Sequence, residues 1–411
     1  MLGDDPSRTL RLRTLATALA AAMFGGSRGA DTLPGMTAEL FPPDRLARAQ
    51  VATAAAGLDA LLVTPGADLR YLTGYDALPL ERLTCLVLPA SGPATLVVPT
   101  LERPRAVESP AGRLGIEVIG WGETEDPFAL SAGRLRDALG GGTVAAVGVA
   151  DRMWAAHALR FADSLPGVRQ RAAGTVLREL RMRKTPAEIQ ALRDAAAIID
   201  AVHEQIQTWS MVGRREDEVG RDIADAILSG GNSAVNFVIV GSGPNGASPH
   251  HDTGPRVIEA GDAIVFDIGG TTPEGYCSDI TRTYVVGHAP EGFAQMYAVL
   301  QAAQDASCAA VEPGVSCEDV DRAARDVITD AGFGEYFIHR TGHGIGLEEH
   351  EEPYIVAGNA EAVEPGFAFS IEPGIYLPGR YGARIEDIVV CTEDGVERLN
   401  HVDRGLVTLA G

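Results

Sequence analysis

The stretch HRTGHGIGLEEHEEP, residues 339–353, is the segment on which the fold prediction depends. Glycines stand on both sides of His343 and allow the backbone to approach a crowded site closely, which a helix would not need. The zinc-binding HExxH helix is excluded, because Tyr354 stands four residues after His350 and Pro353 would disrupt such a helix. The stretch therefore predicts extended or loop chain that presents two histidines.

Four acids stand in apolar runs where a carboxylate is expensive to bury. Asp267 interrupts AIVFDIGG, Asp279 opens DITRT, Glu372 ends FAFSIE, and Glu386 precedes an apolar run. An unpaired carboxylate in such a strand costs several kcal/mol or stays protonated. The first two acids are 12 residues apart and the last two are 14 apart. This near-symmetry indicates that a duplicated fold brings two acids from each half to one centre.

The alternative for any single acid is a structural ion pair, with Arg282 or Arg384 as the partner. Two arginines cannot neutralise four clustered carboxylates, whereas two divalent cations can. Histidine supplies the other ligand type, from His343 and His350 and from the earlier SPHHDTG, which contains His250 and His251. The residues therefore favour a site for divalent metal ions.

The order of predicted elements also indicates a duplication. In the second half of the chain, two helices are followed by strands, and this order occurs twice. The predicted helices cover 189–206, 219–227, 293–311 and 316–332, and the predicted strands cover 235–240, 262–269, 279–286, 367–373 and 384–390.

The first half of the chain predicts a separate α/β domain. A helix over 43–57 precedes a strand over 58–65, and a hairpin joins strands at 83–89 and 94–100. A strand over 144–150 and a helix over 155–164 follow. We place the domains at 41–175 and 176–411, and we expect residues 1–40 to be a disordered extension.

Composition limits the classes of function and partner. The chain of 411 residues has 34 Lys and Arg against 56 Asp and Glu, a net charge of −22, which opposes binding to nucleic acid or to an anionic membrane surface. The apolar run over 15–24 is shorter than the ~20 residues that span a bilayer. Five widely spaced cysteines without a CxxC pair indicate free thiols, and we predict a cytoplasmic location.

The segment GSGPNG, residues 241–246, matches the dinucleotide-binding pattern GxGxxG after a predicted strand. A nucleotide-binding loop must open into a helix, but Pro249 and Pro255 make the following segment rich in turns. We interpret the glycines as shaping a loop that delivers His250 to a cleft.

These motifs resemble the pita-bread metallopeptidases, and the preceding domain resembles the N-terminal domain of the creatinase, prolidase and aminopeptidase P branch. The resemblance covers nearly everything after Phe41 and rests on PHH, FDIGG, SDITRT, HRTGHGIGLEEHEEP, IEPGIY and RIEDIV in this order. It implies a creatinase-like α/β domain followed by a duplicated ααββ catalytic domain. The metal ligands that it implies are Asp267, Asp279, His343, Glu372 and Glu386.

The resemblance also implies individual roles at this site. Asp279 and Glu386 would bridge two ions, whereas His250 and His350 would line the substrate side without binding metal. Arg384 would orient the carboxylates. Oxygen-rich ligation with one imidazole favours Mn²⁺, with Co²⁺ or Zn²⁺ as alternatives. A bridging hydroxide would attack the scissile carbonyl, Glu372 would pass a proton to the leaving amine, and a histidine would stabilise the oxyanion.

The predicted function is hydrolysis of the N-terminal Xaa-Pro bond of small peptides by a dimeric enzyme. Some prolidases carry an arginine shortly after the second histidine, where this chain has Glu352, Pro353 and Tyr354. We therefore expect Xaa-Pro-Yaa peptides to be cleaved at least as well as dipeptides. The alternatives are a prolidase restricted to Xaa-Pro dipeptides, a hydrolase of a small non-peptide amide, and a non-catalytic binding module.

Overall fold

The computed structural model describes residues 40–410. Its helices are α1 (Asp44–Ala55), α2 (Ala67–Thr73), α3 (Arg103–Glu108), α4 (Pro127–Ala138), α5 (Ala155–Ser164), α6 (Gly174–Met182), α7 (Pro186–Ile206), α8 (Glu216–Ser229), α9 (Phe293–Ala309) and α10 (Cys317–Asp330), with 3₁₀ turns at Pro110–Arg113, Gly243–Ala247 and Gly334–Tyr336.

The strands are β1 (Ala60–Val63), β2 (Cys85–Pro89), β3 (Thr95–Pro99), β4 (Glu117–Trp121), β5 (Ala146–Val149), β6 (Arg169–Ala172), β7 (Ala234–Ser242), β8 (Ala263–Thr271), β9 (Cys277–Val286), β10 (Gly342–Gly344), β11 (Glu351–Ile355), β12 (Ala368–Ile371), β13 (Gly374–Leu377), β14 (Tyr381–Arg384), β15 (Asp387–Thr392), β16 (Gly395–Arg398) and β17 (Thr408–Leu409).

The first six strands form one mixed sheet in the order β4-β3-β2-β1-β5-β6. Strands β2 and β3 pair antiparallel, which confirms the predicted hairpin, whereas β1 and β5 pair parallel. Every residue of β1 is buried, because apolar side chains cover both faces of a central strand. This sheet and its helices form the α/β part of the chain that the sequence predicts.

The predicted domain boundary between residues 175 and 176 falls inside α6, and it stays a prediction. The predicted extension over residues 1–40 lies, apart from Leu40, outside the described residues. The predicted helix over 155–164 coincides with α5, whereas the weakly amphipathic helix α4 was not predicted.

The second half repeats the order of two helices followed by strands. Helices α7 and α8 precede the sheet β17-β9-β8-β7, and helices α9 and α10 precede the sheet β11-β10-β12-β15-β16. Ile199, Ile223 and Phe266 belong to one buried cluster, so the first helix pair packs on the first sheet through the predicted apolar stripes. The Ser316 side chain caps the N-terminus of α10, because it accepts from the Asp319 amide at 3.2 Å.

Two strand predictions in the second sheet are wrong at their ends. Strand β12 ends at Ile371, so Glu372 lies just beyond it, and the predicted strand over 384–390 is divided between β14 and β15 with Glu386 in the gap. Strands β13 and β14, which stand between β12 and β15 in the sequence, pair with each other as a separate two-stranded sheet. Because both glutamates lie outside the strands, strict alternation does not constrain them, and both line the same cleft.

The described residues also bear on two predictions from composition. All five cysteines are free and buried, as expected. None of the helices within residues 40–410 has the length and the apolar composition needed to cross a membrane.

Candidate metal centre

The four predicted acids and His343 come from both halves of the duplicated fold. Asp267 lies in β8 and Asp279 in β9, whereas Glu372 and Glu386 follow β12 and β14. His343 is the central residue of β10. All five side chains line one cleft of about 460 Å³.

Potential ligand atoms of these residues form overlapping groups in which all atoms lie within 4.8 Å of one another. One group joins Asp267, Asp279 and Glu386, and a second joins His343, Glu372 and Glu386. A third group joins His343 and Asp279 with His350. Glu386 is common to the first two groups, which is the arrangement that two neighbouring cations would require.

The glycines beside His343 have the predicted purpose. A Cβ atom on Gly342 would lie 1.8 Å from the carbonyl oxygen of Ser370, and one on Gly344 would lie 2.2 Å from that of Glu352. Only glycine permits strands this close together. The strand that carries His343 is thereby held between two neighbouring strands.

Arg384 and Thr281 orient the carboxylates. Arg384 is buried, donates to Asp267, and donates through Nε to the Thr281 hydroxyl at 2.9 Å. That hydroxyl donates to Glu386 at 2.7 Å. The orienting role of Arg384 stays a prediction, and Thr281 was not singled out from the sequence.

Arg282, the other predicted cationic partner, faces elsewhere. Its guanidinium pairs with Asp387 at 2.6 Å and donates to the backbone carbonyl of Glu386. Among residues 40–410, Arg384 with Asp267 is the one ion pair between an arginine and the four clustered acids. One guanidinium facing four carboxylates leaves the centre with excess negative charge.

The excess negative charge contributes to raised pKa values of three of these carboxyl groups. Burial and the neighbouring Glu386, Asp267 and Glu372 carboxylates raise the pKa of Asp279 well above its usual value. Burial, followed by Glu372 and Asp267, likewise raises the pKa of Glu386. Burial raises the pKa of Glu372 to about 7, although Arg384 opposes the shift. Without cations, part of this cluster stays protonated at neutral pH.

The imidazole of His343 is neutral. Burial and the adjacent His350 lower its pKa to about 3. Its Nδ1 lies 3.1 Å from the Gly344 carbonyl oxygen, which fixes the proton on Nδ1. The Nε2 lone pair then faces oxygens of Glu372 and Asp279 at 3.4 and 3.6 Å. Lone pairs that converge in this way repel one another unless a cation lies between them.

One carboxylate oxygen supports the same conclusion. Asp267 Oδ1 is buried and has no hydrogen-bond partner among the described residues, while its other oxygen accepts from Arg384. A buried acceptor without a partner is costly. The oxygen donors and the single imidazole nitrogen therefore fit divalent cations.

The remaining predicted histidines lie on the rim of the cleft. His250 and His350 are exposed and line its wall. Arg340 donates to His350 Nδ1 at 3.4 Å, which leaves the His350 proton on Nε2. The rings of His343 and His350 are 4.0 Å apart between centroids.

Arg340 is a cleft residue that the sequence reasoning missed. Its guanidinium lies 4.4 Å from the ring centroid of Tyr354. The prediction about substrate length considered only an arginine after His350, whereas Arg340 stands three residues before His343. His339 and Tyr376 were also missed, and their side chains form a hydrogen bond of 2.9 Å beside Arg384.

A buried glutamate holds the loop that carries His250, defined here as the first histidine loop (residues 243–255). Glu216 accepts from the Ser242 amide at 2.7 Å, from Asn245 at 3.1 Å and from His251 at 2.9 Å. All of these groups belong to the second half of the chain.

The loop that carries His350, defined here as the second histidine loop (residues 345–352), is held from outside. Arg181 of α6 binds Glu348 at 2.7 Å and also binds Glu351. The same guanidinium binds Asp68 at 2.8 Å, next to the first sheet. Lys184 binds Glu351 at 2.6 Å.

Comparison with known proteins places both parts of the chain. Residues 190–393 match the model of metallopeptidase family M24, and residues 45–183 match that of the creatinase/prolidase N-terminal domain. "Probable dipeptidase PepE" of Mycobacterium tuberculosis is 53% identical over 365 residues, 89% of this chain and 96% of the relative.

Solved structures agree with these matches. Dipeptidase PepE from Mycobacterium ulcerans is 54% identical, with a TM-score of 0.83 over 89% of this chain and 97% of that one. An Xaa-Pro dipeptidase from Bacillus anthracis is 30% identical, with a TM-score of 0.82 over 89% and 99% of the two chains. The predicted fold is thus confirmed, and the chain belongs to metallopeptidase family M24, with a creatinase-like N-terminal domain before a pita-bread catalytic domain.

Proposed function

We propose that this metallopeptidase is a dipeptidase that hydrolyses the bond of Xaa-Pro dipeptides. The names of the relatives support this substrate class, because they include dipeptidases and an Xaa-Pro dipeptidase. The observation that carries the proposal is Arg340, a cation in the wall of the cleft that contains the carboxylate cluster.

Two divalent ions, Mn²⁺ in preference to Co²⁺ or Zn²⁺, would be held by Asp267, Asp279, His343, Glu372 and Glu386. The overlap of the ligand groups at Glu386 supports this set. Ions in such a site supply a hydroxide nucleophile at neutral pH and polarise the scissile carbonyl.

The protein's own groups would manage the proton and the developing charge. Glu372 would pass a proton to the leaving proline nitrogen, and its partial exposure toward the cleft supports this role. His350 would donate its Nε2 proton to the tetrahedral oxyanion, since Arg340 occupies the Nδ1 lone pair.

Arg340 would bind the C-terminal carboxylate of a dipeptide. An arginine fork matches a carboxylate better than any other side chain does. A tripeptide places its carboxylate one residue farther away and cannot bind the same fork without moving its scissile bond. We therefore expect dipeptides to be the better substrates, in place of the expectation that Xaa-Pro-Yaa peptides are cleaved at least as well, which rested on the lack of an arginine after His350.

An apolar wall supports proline at the C-terminal position. Phe237, Ile239 and Pro249 line the same cleft as the charged residues. A pyrrolidine ring buries its methylenes against such a surface, whereas a charged side chain would be desolvated there.

The test is a comparison of kcat/KM for Ala-Pro, Ala-Pro-Ala and acetyl-Ala-Pro in Mn²⁺-supplemented buffer. We expect Ala-Pro to exceed Ala-Pro-Ala by at least about tenfold, and the acetylated dipeptide to be poor. In Arg340→Met the KM for Ala-Pro should rise and the preference over the tripeptide should shrink.

Arg322→Met is the matched control, because Arg322 is exposed on α10 and pairs only with Asp319 among the described residues. A preference for Ala-Pro-Ala in the unaltered enzyme would make the protein an Xaa-Pro aminopeptidase. Hydrolysis of N-acyl amino acids alone would make it an amidase of the same fold.

A further inference from the structure

Glu349 differs from the other acids of the second histidine loop. Glu348 pairs with Arg152 at 2.6 Å and with Arg181, and Glu351 pairs with Lys184. None of the ion pairs and side-chain hydrogen bonds within residues 40–410 involves the Glu349 carboxylate, although the Arg152 guanidinium is near enough to oppose the rise that burial causes in its pKa. Of Glu348, Glu349 and Glu351, it is therefore the one whose carboxylate has no ion-pair partner among the described residues.

Glu349 lies where two cavities meet. It lines the metal cleft, and together with His350 it also lines a side cavity of about 350 Å³. The other walls of that cavity include Cys277, Leu347 and Arg152. Because Arg152 is already paired with Glu348, the unbalanced charge of the side cavity is negative.

The wall of the cleft carries groups of both charges, the Arg340 guanidinium and the Glu349 carboxylate. Arg340 offers a cation to the carboxylate of a bound dipeptide, and Glu349 offers an anion to its cationic groups. A dipeptide carries its anion on the C-terminal residue and its cations on the N-terminal residue. Charge complementarity therefore directs the N-terminal residue toward Glu349.

The size of the side cavity points to a side chain. A volume of about 350 Å³ is far larger than an α-ammonium group needs. A lysine or arginine stem could pack against Leu347 while its charged end reaches the Glu349 carboxylate.

We propose that Glu349 makes this cleft selective for dipeptides whose N-terminal residue carries a cationic side chain, such as lysyl-proline and arginyl-proline. The proposal rests on the dipeptidase function proposed above. It adds a specificity-determining residue and a substrate class to that function.

The experiment compares lysyl-proline with norleucyl-proline, which has nearly the same shape without the charge. The ratio of the two kcat/KM values should be about five to ten in the unaltered enzyme and about one in Glu349→Gln. In Glu349→Lys the ratio should fall below one. Glu312→Gln removes an exposed charge from another surface and should leave the ratio unchanged.

Equilibrium binding provides a reading that does not need turnover. Calorimetry with the same two dipeptides, on protein kept in chelator, should show the same order of affinity and the same loss in Glu349→Gln. If neither dipeptide is hydrolysed but the binding preference persists, the dipeptidase function fails and the Glu349 proposal stands.

Three results would overturn the Glu349 proposal. The first is a ratio near one in the unaltered enzyme, and the second is an unchanged ratio in Glu349→Gln. The third is tighter binding of alanyl-lysine than of alanyl-norleucine that is lost in Glu349→Gln, because Glu349 would then recognise a cation on the C-terminal residue.

Discussion

The two histidine loops occupy corresponding places in a duplicated fold, yet they are supported in different ways. The first loop is fixed by Glu216 and its neighbours inside the catalytic half. The second loop is fixed by Lys184 and by Arg181, which lies within the match to the creatinase/prolidase N-terminal domain, and Arg181 also binds Asp68 of α2. Duplication therefore reproduced the strands that carry the acids but not the contacts that hold the loops.

This difference gives the N-terminal domain a structural part in the active site. Arg181 is largely buried, and three carboxylates surround it. Loss of one partner of a buried ion pair leaves an uncompensated charge. Removal of Arg181 should therefore destabilise the second loop. The hydrogen bonds of Glu216, which holds the first loop, all go to residues of the second half of the chain.

The largest losses of activity should come from the acidic cluster, to which both halves of the duplicated fold contribute carboxylates. Asp279→Asn removes a carboxylate of the first half, and Glu386→Gln removes one of the second. Each should lower kcat by on the order of 10³ or more and reduce bound metal from about two ions per chain, since each is proposed to bridge both ions. Elemental analysis and kinetics on the same samples measure this. Full turnover by exhaustively chelated protein would contradict the proposed centre.

The next effect separates the two histidines of the second half. His350→Ala should keep its metal and lower kcat by on the order of 10² to 10³, because it removes an oxyanion donor. His343→Ala should lose metal, because it removes a proposed ligand. His250→Ala is the comparison from the first loop and should also keep its metal. Equal metal loss in the His343 and His350 variants would show that His350 is a ligand.

Arg181→Ala tests the unequal support of the loops. It should destabilise the protein by about 3 to 5 kcal/mol, because it leaves buried carboxylates unpaired, and it should lower kcat by about 10- to 100-fold. Arg183→Ala is the matched control, since Arg183 is partly exposed and pairs with Glu364 at the surface. Denaturant unfolding and steady-state kinetics provide the two measurements.

A double variant decides whether Arg181 acts through the second loop. If it positions His350, adding Arg181→Ala to His350→Ala should lower kcat little further. A fully multiplicative loss would mean that Arg181 stabilises the domain without positioning His350.

The sequence predicted what depends on pattern and missed what depends on packing. The four acids were identified because acids in apolar strands leave a local signal. The glycines drew attention to His343, but its choice over His350, His250 and His251 came from the family resemblance. Arg340 leaves none, since an arginine next to a histidine is ordinary in any surface loop. The strand ends at Glu372 and Glu386 were misplaced because alternation continues past the point where pairing stops.

The long-range contacts were beyond sequence reasoning for a similar reason. Arg181 lies shortly after the predicted domain boundary between residues 175 and 176, and two of its partners are 113 and 170 residues away. Nothing local distinguishes such an arginine from a solvated one. Only the folded chain shows that the boundary segment holds the second histidine loop.

The smallest predicted effect concerns pH and uses Glu372, which belongs to the second half of the cluster. In chelated protein the folded pKa of Glu372 is about 7, above the ordinary glutamate value of 4.5. Below pH 4.5 both the folded and the unfolded state hold this proton, so stability is unaffected there. As the pH rises toward 7, the unfolded state releases the proton first, and chelated protein loses stability. Bound metal displaces the proton and binds more tightly as the pH rises.

The Tm difference between Mn²⁺-loaded and chelated protein should therefore widen by a few degrees from pH 5 to pH 8, as scanning calorimetry can measure. The pKa values of Asp279 and Glu386 are also raised, so Glu372→Gln should make the trend in chelated protein shallower without abolishing it. Glu312→Gln, a change of the same type at an exposed site, should leave the trend intact. A Tm difference that is constant across this range would mean that the carboxylates are ionised without metal, and that the excess negative charge of the cluster is neutralised in another way.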